Sequence, residues 1–271
     1  MNKRLKYLLY AVFCCIFAAA VTLAAILGSG QRREITCTGL EVEFRDSLKF
    51  VCEDDVRGWL DGNYGTYVGS RLDSIRLWEM EEHIRSRSAV DKCEAWTTDD
   101  GTLHISISQR TPVVRFEKGD IGFYADDRGF IFPLHRSYTA PVPVVRGALP
   151  LSEGGAYKGE ARTPEEREWI AGVLELLDFV SASRIWNGKV KSIDVNQAGD
   201  IVLTLQGAAK EDGSRTAVRE RFILGKPCDI ADKFARMEKF FTHIQPEKGE
   251  GYYRTVNLKY NVQIICRRND T

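Results

Sequence analysis

The N-terminal apolar run constrains this chain more than any other feature. No charged side chain occurs from Tyr7 to Gly30. A helix rises about 1.5 Å per residue, so about 20 apolar residues cross the ~30 Å hydrocarbon core of a bilayer. The run therefore predicts a single transmembrane helix within residues 1–30. The apolar residues expected to contact lipid are Leu8, Val12, Phe13, Ile16, Phe17, Val21, Leu23, Ile26 and Leu27.

The charges that flank the run predict its orientation. Three basic residues and no acid lie in residues 1–6, whereas the two arginines that follow the run stand beside Glu34. The positive-inside rule therefore favours a cytoplasmic N-terminus and an extracytoplasmic C-terminal region. The alternative is a cleaved signal peptide, whose apolar core usually spans about 7–15 residues and ends in small residues. Gly28 and Gly30 fit that alternative, but the run is longer and no Ala-x-Ala ends it, so we favour an uncleaved anchor.

Charge balance argues against a nucleic-acid partner. The chain has 38 basic and 38 acidic residues, and the first thirty residues contain three of the basic ones and no acid. The rest of the chain therefore holds 35 basic (38 − 3) and 38 acidic residues. No basic excess is available to neutralise phosphates. The length that remains is sufficient for one large or two small domains.

Motifs for metal binding and catalysis are missing from the sequence. The cysteines beyond the run are odd in number and widely spaced: Cys37, Cys52, Cys93, Cys228 and Cys266. One or two disulfides and buried free thiols are both compatible with this pattern. No CxxC, HExxH, G-x-S-x-G, P-loop or dinucleotide-binding pattern occurs. We therefore expect neither an enzyme nor a cofactor or metal.

Patterning after the run predicts a compact unit with the order strand, helix, helix, strand, strand. The expected elements lie at residues 34–44, 53–63, 73–86, 90–97 and 102–108. Asp99-Asp100-Gly101 predicts a tight turn between the last two strands, because Asp-Gly tolerates the positive φ angles of such turns.

Beyond residue 110 the pattern predicts several strands and two helices. The first helix starts with Thr163 as cap, Pro164 in the first turn and Glu166 completing a capping box; the second begins near Pro227. The clearest element is the last. Apolar residues alternate with polar ones over residues 256–266, with a break at Ile265, and this pattern predicts one continuous strand with a buried and a solvated face.

Four segments resemble motifs of the cell-division family FtsQ, also called DivIB. The strand-helix-helix-strand-strand unit resembles a POTRA domain, and the first motif is the exit from it. Residues 103–113 read LHISISQRTPV and resemble the exit motif L-x-I-x-I-x-E-R-x-P-V. Residues 124–132, YADDRGFIF, resemble the family's hydrophobic-D-x-x-G-x-x-F segment. Residues 142–147, VPVVRG, resemble L-P-x-V-x-G, and the C-terminal VNLKY at 256–260 resembles V-D-L-R-Y.

Three positions depart from these motifs. Gln109 replaces the usual Glu, Asn257 the usual Asp and Lys259 the usual Arg. If the usual carboxylates form a defined salt bridge, it is absent or replaced in this chain.

The resemblance implies both a fold class and a function. The fold class is α+β: a cytoplasmic tail and single transmembrane helix (1–30), a POTRA-like α/β domain (31–110) and a mostly antiparallel C-terminal β domain with flanking helices (111–271). Members are bitopic, non-enzymatic divisome proteins of the cell inner membrane at the division septum. They bind FtsB and FtsL and link early cell-division proteins to septal peptidoglycan synthesis, so components of the septal synthase are further candidate partners.

The resemblance also implies a binding site. In this family the partner adds a strand at the edge near the C-terminal strand, and an edge strand presents unpaired N–H and C=O groups for that purpose. The predicted site consists of Tyr260, Asn261, Val262, Gln263, Ile264, Ile265 and Cys266. Two other functions stay open: a membrane-anchored POTRA-containing component of protein secretion or outer-membrane assembly, and an anchored wall hydrolase.

Overall fold

The computed structural model describes residues 12–24, 35–136, 138–152, 158–206 and 220–269. The chain forms two compact units, Met1–Gln109 and Arg110–Thr271. Residues 12–24 are helical (α1), and their side chains are exposed. Among the residues described, no helix is long and apolar enough to cross a membrane. Of the predicted anchor residues, six lie on α1, whereas Leu8, Ile26 and Leu27 lie outside the described residues.

The first unit has the predicted order of elements. They are β1 (Gly39–Phe44), α2 (Glu53–Asn63), α3 (Leu77–Arg85), β2 (Val90–Thr97) and β3 (Thr102–Gln109). β1 pairs in parallel with β3, and β2 pairs with β3 in antiparallel fashion, which gives the strand order β1-β3-β2. α3 starts later than expected, because a 3₁₀ turn at Leu72–Ser74 is followed by extended backbone at Ile75.

The core of this unit follows the period-two pattern of β3. Leu103, Ile105 and Ile107 are fully buried, as expected for alternate residues on one face of a strand. The helices contribute equally buried side chains, namely Val56 and Leu60 from α2 and Met80 and Ile84 from α3.

Gln109 at the end of β3 shows why an amide replaces the family's usual carboxylate. Its Nε2 donates to Asp46 Oδ1 at 2.8 Å and to the Leu48 carbonyl at 2.7 Å, while its Oε1 accepts the Val51 N–H at 2.8 Å. The side chain is buried. A glutamate at this position would place its carboxylate against that of Asp46 and would have no proton to donate.

The second unit contains a nine-stranded mixed sheet in the order β12-β11-β10-β9-β8-β7-β4-β5-β6. Its strands are β4 (Val114–Lys118), β5 (Ile121–Ala125), β6 (Ile131–Pro133), β7 (Val144–Gly147), β8 (Val190–Val195), β9 (Ile201–Leu205), β10 (Arg221–Gly225), β11 (Tyr253–Asn257) and β12 (Ile265–Arg268). Five neighbouring pairs are antiparallel, and the pairs β4–β7, β7–β8 and β10–β11 are parallel. The α+β class is therefore confirmed, with more parallel pairing than the prediction emphasised.

The helices of this unit are α4 (Pro164–Ala182), α5 (Ile230–Lys239) and the short α6 (Gln245–Lys248), and a π-helical turn at Phe240–Ile244 joins the last two. The α4 cap is confirmed, because Thr163 Oγ1 accepts the Glu166 N–H at 3.2 Å and Pro164 occupies the first position. The predicted capping box is only half formed, since the Glu166 carboxylate accepts the N–H groups of Ser152 and Arg162 instead of returning to Thr163.

Two predicted family motifs meet in one buried ion pair of this unit. Arg110 belongs to the exit motif, and its Nη1 lies 2.7 Å from Asp126 Oδ2. Asp126 Oδ1 also accepts the backbone N–H groups of Arg128 at 3.0 Å and Phe130 at 2.8 Å. The Arg110 guanidinium stacks 3.7 Å from the centre of the Phe130 ring. The arginine and aspartate of these motifs therefore stabilise the start of the unit rather than form a reactive site.

The prediction of one continuous strand over residues 256–266 is wrong. β11 ends at Asn257, residues 258–264 turn, and the chain returns as β12 in antiparallel pairing with β11. The apolar residues that alternate in this part of the sequence do not share one buried face in the structure. Leu258 is fully buried, whereas Tyr260 and Val262 are exposed.

Side-chain and backbone hydrogen bonds cause this break. Asn257 Oδ1 accepts the Lys259 N–H at 2.9 Å, a local bond that competes with strand pairing. The Tyr260 carbonyl then accepts the Gln263 N–H at 3.4 Å and closes the turn. A short C-terminal hairpin therefore replaces the expected strand.

Candidate protein-binding edge

β12 forms one end of the nine-stranded sheet. It pairs with β11 through the register Asn257 with Ile265, Val256 with Cys266 and Tyr253 with Arg268. In the part of the chain that the structure describes, no residue hydrogen-bonds to the opposite side of β12. Within the described ranges, the backbone groups on that side are therefore unpaired, as they are at an edge to which a strand can be added.

The structure divides the predicted binding residues between the turn and the strand. Tyr260, Asn261 and Val262 lie in the turn, Gln263 and Ile264 lead out of it, and Ile265 and Cys266 belong to β12. Val262 is 92% exposed, and Tyr260 and Ile265 are also exposed. Ile264 and Cys266 instead pack against the core of the second unit. The hairpin thus brings three exposed, largely apolar side chains next to an open backbone edge.

Arg236 on α5 fixes the conformation of the turn. Its Nη2 donates to the Leu258 carbonyl at 2.9 Å and its Nη1 to the Asn261 carbonyl at 3.2 Å. The Leu258 N–H also donates to the Ile223 carbonyl of β10 at 2.8 Å. Sequence reasoning missed Arg236, because the apolar stripe of α5 indicates only which residues face the core and nothing about a contact made so much later in the chain.

Lys259 preserves a charge at the position where the family usually has arginine. Its Nζ lies 2.7 Å from Asp200 Oδ1, which comes from the turn between β8 and β9. The hydrogen bond and the charge of Asp200 raise the pKa of Lys259. Gly225, at φ 77°, leaves room for this side chain, because a Cβ there would lie 2.8 Å from Lys259 Cγ. Lys259 therefore forms a salt bridge with Asp200, which links the turn before β12 to the turn between β8 and β9.

The far end of β12 is cationic. Arg267 and Arg268 are both exposed, and the Arg268 guanidinium lies 5.4 Å from the centre of the Tyr252 ring. The open edge therefore changes from apolar at Ile265 to basic at its C-terminal end. Such an edge fits an extended segment that carries apolar side chains at one end and acidic ones at the other.

The five cysteines beyond the apolar run are free thiols in the structure, and no disulfide joins them. Burial raises the pKa of Cys93 to about 12. Burial, together with the nearby Glu220 charge, also raises the pKa of Cys266. Both groups therefore remain protonated at neutral pH, which makes them poor nucleophiles and poor metal ligands.

No metal centre is formed by the residues that the structure describes, since no three His, Cys, Asp or Glu side chains come together in a suitable cluster. The acidic runs instead occupy structural positions. Asp54 and Asp55 lie in the first turn of α2, and Asp100 Oδ1 accepts the Thr102 N–H in the turn between β2 and β3.

Two models of known protein families match the chain. Residues 111–267 match a family described as FtsQ/DivIB, C-terminal related, and residues 35–108 match the POTRA-like domain. The first match covers more than half of the chain's 271 residues and includes most of the C-terminal hairpin. No curated protein matches the chain.

Proposed function

Because the chain belongs to the FtsQ/DivIB family of cell-division proteins, we propose that it is a non-enzymatic divisome scaffold that binds FtsB- and FtsL-type partners. It links early cell-division proteins to septal peptidoglycan synthesis. Residues 1–30 supply the cytoplasmic tail and a single inner-membrane anchor. Residues 31–110 form the POTRA-like domain and residues 111–271 the partner-binding domain, both on the periplasmic side at the septum.

The observation that carries the binding proposal is the contrast between the two ends of the nine-stranded sheet. At β6, Ile131 exchanges two backbone hydrogen bonds of 2.8 Å with Gly159, and Pro133 has no N–H to offer. At β12, no described residue covers the edge. One end of the sheet is therefore closed to a further strand, and the lack of such cover among the described residues at the other end supports strand addition there.

In this proposal a partner strand pairs with β12 and extends the sheet. Main-chain hydrogen bonds supply much of the affinity, and exposed side chains select the partner. Tyr260, Val262 and Ile265 bury apolar surface against the partner, which stabilises the complex by about 25 cal/mol per Å² removed from water. Arg267 and Arg268 pair with acidic side chains of the same segment.

A pull-down of the full chain from detergent-solubilised membranes tests the proposal. Ile265→Asp places a charge on the open edge, and Ile121→Asp is the matched control on β5 of the same sheet. The two isoleucines are exposed to similar degrees, 47% and 38%. We expect the parent and the control to recover FtsB- and FtsL-type proteins. The Ile265→Asp variant should bind at least about tenfold more weakly, equivalent to about 1.4 kcal/mol.

Two results would contradict parts of the proposal. Equal recovery by all three proteins would keep the divisome role and move the binding site away from β12. Recovery of secretion or outer-membrane assembly components in place of division proteins would replace the divisome role itself.

A further inference from the structure

The exposed large apolar side chains of the first unit, apart from those of α1, lie at one end of it. Among the residues described there they are Val68, Trp78 and Trp96. Trp78 is the most exposed, at 66%. A tryptophan so exposed on a small, otherwise well-buried unit indicates a contact surface.

Val68 lies where the chain enters the unit. The Leu72 N–H donates to the Ile35 carbonyl at 3.0 Å, and the Cys37 N–H donates to the Ser70 carbonyl at 2.8 Å. The N–H of Gly69, the neighbour of Val68, donates to the Cys37 carbonyl at 2.7 Å. Residues 35–37 therefore run alongside residues 69–72.

Trp96 lies at the same end, close to the turn between β2 and β3. The Thr38 N–H donates to the Gly101 carbonyl of that turn at 2.8 Å. Trp96 is the last residue but one of β2 and stacks on His104, with 5.2 Å between ring centres. The incoming chain and this turn thus share one end of the three-stranded sheet.

Trp78 joins them because α3 begins at this end. Glu81 Oε1 accepts the Ala95 N–H at 2.8 Å, which places Glu81 level with the last part of β2. Trp78 precedes Glu81 by three residues, or about 4.5 Å along the axis, toward the turn between β2 and β3. The Arg76 N–H also donates to the Tyr64 hydroxyl at 2.7 Å, which ties the start of α3 to the end of α2.

In sequence, the apolar run leads directly into this end of the first unit. Only residues 28–34 separate Leu27, the last residue of the run, from Ile35. Even fully extended, this link spans no more than about 30 Å. Such a short tether gives the end a high effective concentration at the membrane surface, so that a weak contact there is occupied much of the time.

We propose that this end of the first unit rests on the lipid surface, with Trp78 in the interfacial layer and Val68 and Trp96 beside it. The proposal rests on the membrane anchor of the proposed function. Tryptophan suits this layer, because its ring is apolar while its N–H can bond to headgroups and water. The contact also orients the POTRA-like unit with respect to the bilayer.

The charges of this end select the lipid. Arg71 is paired with Asp73 at 3.0 Å, and Arg76 is paired with Glu79 at 2.8 Å. The turn between β2 and β3 adds acidic side chains, among them Asp100. The described residues of this end carry no cationic excess, so the surface that fits them is zwitterionic rather than anionic.

Tryptophan quenching in reconstituted vesicles tests the contact. The full chain is placed in phosphatidylcholine vesicles whose acyl chains carry bromine, which quenches nearby tryptophans, and in matched vesicles without bromine. We expect the parent to lose emission in the brominated vesicles and the Trp78→Phe variant to lose far less. Trp169→Phe, which changes a buried tryptophan of the second unit, should keep the parent's loss. Adding anionic lipid should weaken the quenching.

Carbonate extraction of the same vesicles separates this proposal from the anchor on which it rests. A chain that carbonate removes from the vesicles overturns both. A chain that resists carbonate, with equal emission in both kinds of vesicle, overturns the surface contact and leaves the anchor. The contact also fails if Trp78 is shielded only after purified partner proteins are added, or if Trp78→Phe keeps the full quenching.

Discussion

The two units treat the edges of their sheets differently. In the first unit, the helices cover both edges with charged side chains. Arg57 of α2 donates to the Leu40 carbonyl of β1 at 2.9 Å, and Glu81 of α3 accepts the Ala95 N–H of β2 at 2.8 Å. In the second unit, β12 has no such cover in the residues described. Covered edges resist unwanted strand addition, so an edge left open indicates where strand addition serves a function.

The second unit uses the same chemistry for another purpose. Arg236 of α5, like Arg57 of α2, donates to backbone carbonyls, but its targets are Leu258 and Asn261 in the turn before β12. The arginine therefore holds the hairpin in position without blocking the edge. Arg57 thus bonds to the edge strand of the first sheet itself, whereas Arg236 bonds only to the turn that precedes the edge strand of the second sheet.

The largest effect is expected from loss of this support. Arg236→Met removes two charge-assisted hydrogen bonds, and we expect the free energy of unfolding to fall by about 2 kcal/mol. Partner affinity should fall as well, because the turn no longer holds Tyr260 and Val262 in place. Urea unfolding and partner titration of the full chain in detergent measure both. Lys239→Met, an exposed change on the same helix, is the control. Unchanged partner affinity in a destabilised Arg236→Met variant would exclude the turn from the binding surface.

A smaller effect is expected from opening a covered edge. Glu81→Ala leaves the Ala95 N–H without its acceptor, which should cost about 1–2 kcal/mol of stability and promote self-association through β2. Light scattering and urea unfolding measure these effects. Glu82→Ala is the control, since Glu82 is the next residue on α3 and pairs only with Arg85 at 3.2 Å among the described residues. A monodisperse, fully stable Glu81→Ala variant would show that Glu81 does not protect this edge.

Features set by short-range patterns were predictable from the sequence. The alternation of Leu103, Ile105 and Ile107 correctly predicts β3, and the Thr163 cap correctly predicts the start of α4. The family resemblance drawn from four short motifs is confirmed by the match over residues 111–267. Each of these signals depends on neighbours in the chain, which is why one sequence suffices to find it.

The C-terminal hairpin was not predictable by the same means. Exposed apolar residues can have the same alternating pattern as apolar residues in a core, so the pattern predicts that Tyr260 and Val262 continue the strand. Besides the local bonds of Asn257 and Tyr260, the break depends on Arg236 and on pairing between Leu258 and Ile223, and these contacts join residues that are distant in sequence. The order of strands that leaves β12 at an edge is likewise a property of the fold. The binding roles predicted for residues 260–266 remain predictions.

The smallest expected effect is on the pH dependence of stability, through Glu220, which contacts the chain just before β11. Glu220 lies just before β10, and its carboxylate accepts the Gly251 N–H and the Gln245 side-chain N–H, both at 3.3 Å. Burial is the main cause that raises the pKa of Glu220. Because the folded-state pKa is raised, the contribution of Glu220 to stability is fully present below the ordinary glutamate pKa. It is lost as the pH rises through the folded-state value.

Replacing this carboxylate by an amide isolates its contribution. We expect Glu220→Gln to be more stable than the parent at neutral pH, because the amide avoids the cost of a partly buried charge. The difference should shrink as the pH falls toward the ordinary glutamate pKa, where the parent is also uncharged. Thermal unfolding of the full chain from mildly acidic to neutral pH measures this. Glu238→Gln, an exposed change on α5, should shift the curves little. A Glu220→Gln variant less stable than the parent at neutral pH would mean that the bonds to Gly251 and Gln245 outweigh the burial of the charge, so that the carboxylate supports the presented hairpin much as Arg236 does.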